Sequence, residues 1–184
     1  MSFSDFKSGK SGRMAYNHLT MQRAFIQKTA GGWADVEHEG YVPGLKTNVV
    51  RHTLVGGRKD EIGETGPSNE MRYFALPPGT VSRLEKHEHE HFVIVGEGVG
   101  HAVVGETVRE VRQHDVVYVG PLVPHQFVNR SEETFGFFCM VSAARDYSQE
   151  LSPDELARLM ASPAGAYVDP HGAPPPRKRQ PTPV

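Results

Sequence analysis

The sequence predicts an all-β protein, a barrel or sandwich of about eight strands with an N-terminal arm and a short C-terminal helix. Short β-rich segments recur from Lys46 onward, turn residues separate them, and a helical pattern appears only after Ser142. The length of 184 residues suits one domain with tails. We expect an arm at 1–45, a barrel at 46–145, a helical segment at 146–169 and a disordered Pro-rich, basic tail at 170–184.

The strands are predicted where β-branched and aromatic residues cluster between turn residues. Gly and Pro at positions such as Pro77-Pro78-Gly79 and Gly96-Glu97-Gly98 supply the backbone angles that turns need. The candidate strands are Thr47–Val55, Met71–Leu76, Val81–Glu85, His91–Val95, Gly100–Val104, Thr107–Val111, Asp115–Val119, His125–Asn129 and Phe135–Ser142.

Three segments outside the strands have their own patterns. Met14–Lys28 could hold a short helix, and Arg58–Asn69, which is rich in Gly and charge, predicts a surface loop. Ser152-Pro153-Asp154-Glu155 combines an N-cap, a proline at the first helical position and a capping-box glutamate. This start signal predicts a C-terminal helix whose apolar face consists of Leu156, Leu159 and Met160.

Composition excludes several classes of function. Twenty Lys and Arg residues against 22 Asp and Glu residues give a net charge of -2, which does not favour nucleic acid or anionic membranes as partners. The single cysteine, Cys139, excludes an intramolecular disulfide framework and a zinc site made of several thiolates. With no apolar signal segment at the N-terminus, we expect a cytoplasmic protein whose partner is a small-molecule substrate.

The strongest anomaly is a cluster of histidines. Glu85, His87, His89 and His91 share one parity, so a continuous strand would project all four side chains to the same face. Imidazoles and a carboxylate that converge inside a barrel are ligands for Mn, Fe, Ni, Cu or Zn. Buried together without a cation or hydrogen bonds, they would be costly.

The spacing of these residues resembles the first motif of the cupin superfamily. The run Gly79, Glu85, His87, His91, Gly98 has the spacing of the family pattern of a glycine, His-x-His, a glutamate and a glycine. His125 and Asn129 resemble the end of the second cupin motif, although Gly120-Pro121-Leu122 and His114 differ from its usual turn residues. The resemblance, which covers about Met71 to Val141, implies a double-stranded β-helix, or jelly roll, in a small single-domain protein.

The ligands implied by the resemblance depart from the family pattern. Glu85 stands at the position of the first histidine and His91 at the position of the glutamate, so the implied set is Glu85, His87, His91 and His125. In a competing register, His87 and His89 form the His-x-His pair, Glu85 does not bind the metal but contacts its ligands, and His91 is either a ligand or a bystander. His125 belongs to both registers. Either set implies one divalent transition metal per chain, with Fe, Mn or Ni favoured and Zn or Cu as alternatives.

Three roles for the metal remain open. The first, which we favour, is a dioxygenase that acts on a small aromatic, enediol or dicarbonyl compound, as in related cupin dioxygenases. The second is a non-redox lyase or isomerase in which the metal polarises a carbonyl. The third is a barrel that binds a small ligand without turnover.

The expected pocket lining is apolar and aromatic. Candidate residues with hydroxyl groups for proton donation are Tyr73 and Tyr118, and the other lining candidates are Val93, Phe127, Cys139 and Phe137 or Phe138. If Cys139 faces inward, so do Phe137 and Val141; otherwise Phe138 and Met140 line the interior. No Gly-rich phosphate cradle and no convergent Lys/Arg pair is visible, which favours a planar or hydrophobic substrate over a sugar phosphate.

A barrel of this type leaves exposed sheet edges. The arm, through Trp33 and Tyr41, could cross to a second subunit and cover one, so we expect a homodimer. The alternative is a monomer with the arm folded back.

Overall fold

The structure is a computed structural model that describes residues 25–40, 49–63 and 66–172. The chain divides into two compact units, Met1–Asp35 and Val36–Val184. In the first unit, the described residues form a hairpin of β1 (Lys28–Thr29) and β2 (Gly32–Trp33). The ammonium group of Lys28 lies 5.5 Å from the centre of the Trp33 ring, a cation–π contact within this hairpin.

The second unit contains two antiparallel sheets. Its elements are β3 (His38–Gly40), β4 (Val50–Val55), α1 (Lys59–Ile62), β5 (Asn69–Leu76), β6 (His91–Glu97), β7 (Val99–Val104), β8 (Thr107–Arg112), β9 (Val116–Val119), β10 (His125–Val128), β11 (Phe135–Ser142), α2 (Pro153–Ala161) and a 3-10 turn (Pro163–Ala166). One sheet has the strand order β3-β4-β5-β11-β6-β9 and the other β10-β7-β8. The prediction of a mostly β, jelly-roll fold is confirmed.

The core lies between the two sheets, because residues from both pack into one apolar cluster. The six-stranded sheet contributes residues such as Leu76, Val93 and Phe137, and the three-stranded sheet contributes Ala102 and Phe127. Alternation along β6 shows the period of a half-buried strand: His91, Val93 and Val95 are buried, whereas Phe92 and Ile94 are exposed. One end of this interior is apolar, and the end that carries His91 is polar.

The segment Val81–Glu85 is not a regular strand, which corrects the prediction. It makes isolated bridges at Val81, with Val128, and at Glu85, with His125. Ser82 explains part of the irregularity, since its hydroxyl accepts a hydrogen bond from the Phe127 backbone N–H at 2.8 Å. The parity argument for Glu85 to His91 therefore does not hold, because this stretch is not one continuous strand.

The other departures are small. Arg58–Asn69, predicted to be a loop, contains the four-residue helix α1. Most of Met14–Lys28 lies outside the described residues, as does the tail from residue 173. The compact units divide after Asp35; residue 45, the predicted end of the arm, lies outside the described residues, and that boundary stays a prediction.

The C-terminal helix α2 begins as predicted. The Ser152 hydroxyl accepts the Glu155 backbone N–H, and the Glu155 carboxylate accepts the Ser152 backbone N–H, which together make a capping box. Leu159 is buried, but Met160, predicted to share its face, is 44% exposed. Lys86 forms an ion pair with Glu155 at 2.5 Å, so the helix start is tied to the segment that carries the histidine cluster. Within the described part of the chain, no helix is long and apolar enough to cross a membrane.

Candidate metal centre

Three histidines meet at the polar end of the interior. One ring nitrogen from each of His87, His91 and His125 lies within 4.8 Å of the others, and the three residues are 1%, 6% and 2% exposed. His91 begins β6, His125 begins β10, and His87 belongs to the connection between β5 and β6. Glu85 and His125 exchange backbone hydrogen bonds of 3.2 and 3.0 Å, which tie this connection to β10.

The tautomers of two of these histidines are fixed by the backbone. The Nδ1 atom of His87 donates to the His89 carbonyl at 2.7 Å, and that of His125 donates to the Val123 carbonyl at 3.0 Å. Because a carbonyl can only accept, each Nδ1 carries the proton and each Nε2 keeps a lone pair. Neither buried Nε2 atom has a hydrogen-bond partner in the part of the chain that the structure describes.

Burial is the main reason why all three imidazoles are neutral. It lowers the pKa of His87 and of His125 and places the pKa of His91 well below its usual value. For His91, the neighbouring His125 and Arg72 lower the pKa further. Neutral imidazoles with unshared, buried lone pairs are the form of histidine that binds a divalent metal, so the residues fit the predicted cofactor.

His89 lies beside this group and not within it. Its ring stacks on the His87 ring with centroids 3.6 Å apart, and its Nε2 lies 3.1 Å from the Nε2 of His91. Its Nδ1 donates to the Asp146 carboxylate at 2.6 Å, and burial lowers its pKa to about 4. The structure thus groups His91, not His89, with His87 and His125.

Asp146 holds the loop that carries His89. Its carboxylate accepts the backbone N–H groups of Glu88 at 2.9 Å and His89 at 3.0 Å. Burial opposes ionisation of Asp146, but these hydrogen bonds keep the net shift of its pKa downward. Arg58 donates two hydrogen bonds to the Asp146 carbonyl, and the Tyr147 ring stacks on its guanidinium at 3.9 Å. These contacts hold the segment after β11 against the loop that carries His89.

Glu85, the predicted fourth ligand, lies close enough to act on the group through its charge. Its side chain is 13% exposed, and its carboxylate raises the pKa values of His87 and His125 against the effect of burial. The group of mutually close donors contains no carboxylate among the described residues. Coordination by Glu85 stays a prediction.

The inward face of β11 resolves the question of Cys139. Cys139, Phe137 and Val141 belong to the core between the sheets, so the sulfur faces the interior. In the strand register Cys139 lies between Val93 of β6 and Arg72 of β5. Phe127, another predicted lining residue, is 3% exposed in the same core.

The two tyrosines lie on the opposite face of the sheet, which corrects their prediction as lining residues. Tyr73 donates to Glu97 at 2.5 Å and packs against Phe138, whose side chain is also directed away from the core cluster. Tyr118 is 51% exposed and donates to Glu90 at 2.6 Å. Side chains alternate between the two faces of a strand, so the face that each tyrosine occupies can be predicted only once the pairing register of its strand is known.

Sequence reasoning missed a convergence of arginines. Burial, followed by charge repulsion from Arg72 and Arg58, lowers the pKa of Arg145 to about 10. Arg145 is paired with Glu70, and both side chains are almost fully buried. Arg72 lies close enough to the three histidines to lower the pKa of each. The prediction that no Arg pair converges near the site is therefore wrong, because these residues are up to 87 positions apart in sequence and only the fold brings them together.

Comparison with known proteins gives one consistent result. The Cupin domain family matches residues 72–141. A protein of Rhodospirillum rubrum named 1-methylthio-D-xylulose 5-phosphate methylsulfurylase is 39% identical over 123 residues, which cover 66% of this chain and 74% of that protein.

Two solved structures share the fold. A cupin 2 conserved barrel domain protein from Rhodopseudomonas palustris has a TM-score of 0.65 at 34% identity, covering 75% of this chain and 93% of that one. A cupin-2 domain protein from Rhodospirillum rubrum has a TM-score of 0.63 at 35% identity, covering 77% and 93%.

Proposed function

The chain belongs to the cupin family, and from this premise we propose that it is a metal-dependent enzyme that cleaves the carbon–sulfur bond of a methylthio-substituted ketose phosphate. The observation that carries the proposal is the position of Cys139. The thiol faces the same interior as the three histidines, and its hydrogen-bond partner, Arg72, acts electrostatically on all of them. The methylsulfurylase named above, 39% identical, acts on a substrate of this class.

His87, His91 and His125 would hold the metal, with Glu85 as the candidate fourth ligand. When bound, a divalent metal supplies Lewis acidity to a ketone oxygen. The interior walls next to this group are apolar, with Val93, Phe127 and Phe137 nearly inaccessible to solvent. A site of this kind excludes water from a reactive carbanion equivalent.

A thiol is the group in this interior that can accept a methylthio group. The Cys139 thiolate attacks the sulfur of the substrate, a sulfur–sulfur bond forms, and the bond between that sulfur and C1 breaks. The electron pair of the broken bond remains on the sugar as an enolate, which takes a proton to give a methyl group at C1. The sugar carbon is reduced and the two sulfurs are oxidised to a mixed disulfide, which an external low-molecular-weight thiol then reduces.

Charge near the site favours an anionic substrate. Arg72 and Arg145 balance Glu70 and Glu85, so a bound divalent metal would leave the region around the histidines with net positive charge. Arg58 adds a further guanidinium at the edge of this region, where the carboxylates of Asp60 and Asp146 offset its charge, so the positive charge comes from the metal. This arrangement supports a phosphorylated sugar more than a neutral planar compound.

The test is incubation of the metal-loaded protein with 1-methylthio-D-xylulose 5-phosphate and a low-molecular-weight thiol. We expect the 1-deoxy ketose phosphate by NMR and, when the external thiol is left out, a protein whose mass has increased by one methylthio group in place of a hydrogen. Cys139→Ser should lose both signals. Met140→Ser is the matched control, because Met140 is the next residue of β11 and its side chain is 38% exposed.

An oxygenase of a dicarbonyl or enediol compound is the second candidate, supported by three neutral histidines next to an apolar wall. Oxygen consumption that is lost in His125→Ala but kept in Cys139→Ser would favour it over carbon–sulfur cleavage. Recovery of both kinds of substrate intact from metal-loaded protein would instead indicate a binding protein.

A further inference from the structure

Arg72 and Cys139 are direct partners across two strands. They face each other in the antiparallel pairing of β5 with β11, and the Nη2 atom of Arg72 lies 3.2 Å from the Cys139 sulfur. The register is continuous over eight residue pairs, from Phe135 with Leu76 to Ser142 with Asn69. The contact is therefore fixed by the sheet and does not depend on a loop.

Arg72 has unused hydrogen-bonding capacity. Its Nε atom is buried without a partner among the described residues. The nearby carboxylate of Glu70 is already paired with Arg145. The carboxylates of Glu70 and Glu85 act on the guanidinium through their charge, but the acceptor of its hydrogen bond is a thiol. A partly buried charge is better compensated when an opposite charge accepts its hydrogen bond directly.

We propose that Arg72 is a positioning residue that stabilises the thiolate form of Cys139 and directs its sulfur toward the interior where the three histidines meet; this rests on the proposed function. Two further observations connect Arg72 and the sulfur with the histidines. The Nε2 atoms of His87 and His125 are buried and unpartnered, and the charge of Arg72 acts on both residues. The guanidinium thus contacts the nucleophile and lies close enough to the candidate metal group to act on it through its charge.

The charges that face Cys139 oppose one another. Burial raises the pKa of the thiol most, Arg72 lowers it by charge and by hydrogen bonding, and Glu85 and Glu70 raise it. The net shift of the pKa in the metal-free protein is upward. From β6, the facing residue is the apolar Val93, with His91 at the start of that strand. Of these neighbours, Arg72 alone favours the thiolate. A divalent metal held by the histidines would add positive charge to the same region, so metal loading should favour the thiolate as well.

The experiment is a pH titration of the thiolate by its ultraviolet absorbance, in metal-free and metal-loaded full-length protein. Because Cys139 is the one cysteine of the chain, its signal is unambiguous. Arg72→Gln should raise the apparent pKa of the thiol by about 1 to 3 units, which means ten- to a thousand-fold less thiolate at a given pH. Arg72→Lys should restore most of the shift because it keeps the charge. Arg109→Gln, at an exposed arginine of β8, should leave the titration unchanged.

An unchanged pKa of the Cys139 thiol in a folded Arg72→Gln protein would overturn the proposal. An equal rise of that pKa in the Lys and Gln variants would overturn it as well. If Arg72→Gln does not fold, the Lys variant decides: a pKa of the thiol within about half a unit of wild type supports the role of charge, and a pKa raised by about one unit or more contradicts it. The titration needs no substrate. A protein that shows the Arg72 effect but no turnover would therefore refute the proposed function while leaving the ion pair intact.

Discussion

Metal binding should stabilise the fold by an amount set by the ratio of the free metal concentration to its dissociation constant. His87 and His125 already have the ligand tautomer and buried, unshared lone pairs, so little rearrangement is needed when a metal binds. A metal at a hundred times its dissociation constant adds about 2.7 kcal/mol to the free energy of unfolding. For a chain of this length, this corresponds to a rise in melting temperature of about 5 to 11 °C.

The assay is thermal unfolding followed by calorimetry, with metal-stripped protein titrated separately with Mn²⁺, Fe²⁺, Ni²⁺ and Zn²⁺. His125→Ala should lose most of the metal-dependent rise, because it removes one of three ligands. His101→Ala is the matched control, since His101 lies on β7 against Tyr167 and outside the group. Equal stabilisation of wild type and His125→Ala, or no stabilisation by any of the four metals, would refute the assignment of this group as a metal centre.

Four further predictions follow from other parts of the structure. The pKa values of His87, His91 and His125 in the folded protein lie below 6.5, so below that pH the unfolded chain binds more protons than the folded one. In denaturant titrations of metal-free protein, the free energy of unfolding should therefore fall as the pH drops below about 6.5, by about 1.4 kcal/mol per pH unit for each histidine. Gly136→Ala should destabilise the fold by about 1 to 3 kcal/mol in the same assay, because an added Cβ would collide with the Tyr73 hydroxyl. Gly105→Ala is the comparison variant: its added Cβ would meet only a distant side chain, but its φ is 59°, so its loss of stability reports backbone strain without a steric collision. Ser152→Ala should cost about 0.5 to 2 kcal/mol by removing the cap of α2, whereas Ser148→Ala should cost little. The homodimer expected through the arm stays a prediction, and the exposed outer side chains of β6 and β9 offer it a second apolar surface. If that surface takes part, Val116→Lys, at a residue that is 68% exposed, should shift sedimentation toward the monomer. A wild-type protein that sediments as a monomer at all concentrations would contradict the homodimer.

Much of the fold could be predicted because the local signals were strong. The alternation along β6 and the capping box of Ser152 and Glu155 both specify structure through residues that are near each other in sequence. The irregular stretch between β5 and β6 could not be predicted in this way. Its alternating histidines have the sequence pattern of a strand, but hydrogen bonds with distant residues such as Asp146 and Gln149 determine its backbone conformation.

The candidate site shows the same division. The resemblance to the two cupin motifs indicated His87, His91 and His125, together with Glu85 and with His89 as an alternative ligand. The motif spacing could not show that His89 turns toward Asp146, 57 residues away, or that Arg72 meets Cys139, 67 residues away. The prediction that Tyr73 and Tyr118 line the pocket failed for a related reason. Which of its two faces a strand presents to the core depends on its pairing with neighbouring strands.

The carbonyl groups that hold the His87 and His125 rings have an evolutionary consequence. Both acceptors, at His89 and Val123, belong to the main chain, which nearly every amino acid supplies in the same form. Single substitutions at these two positions therefore leave the acceptors in place, and the ring orientations can persist while the surrounding sequence drifts. His89 is different, because its orientation depends on one replaceable carboxylate at Asp146. Variation among related chains should accordingly be tolerated at Val123 and be damaging at Asp146.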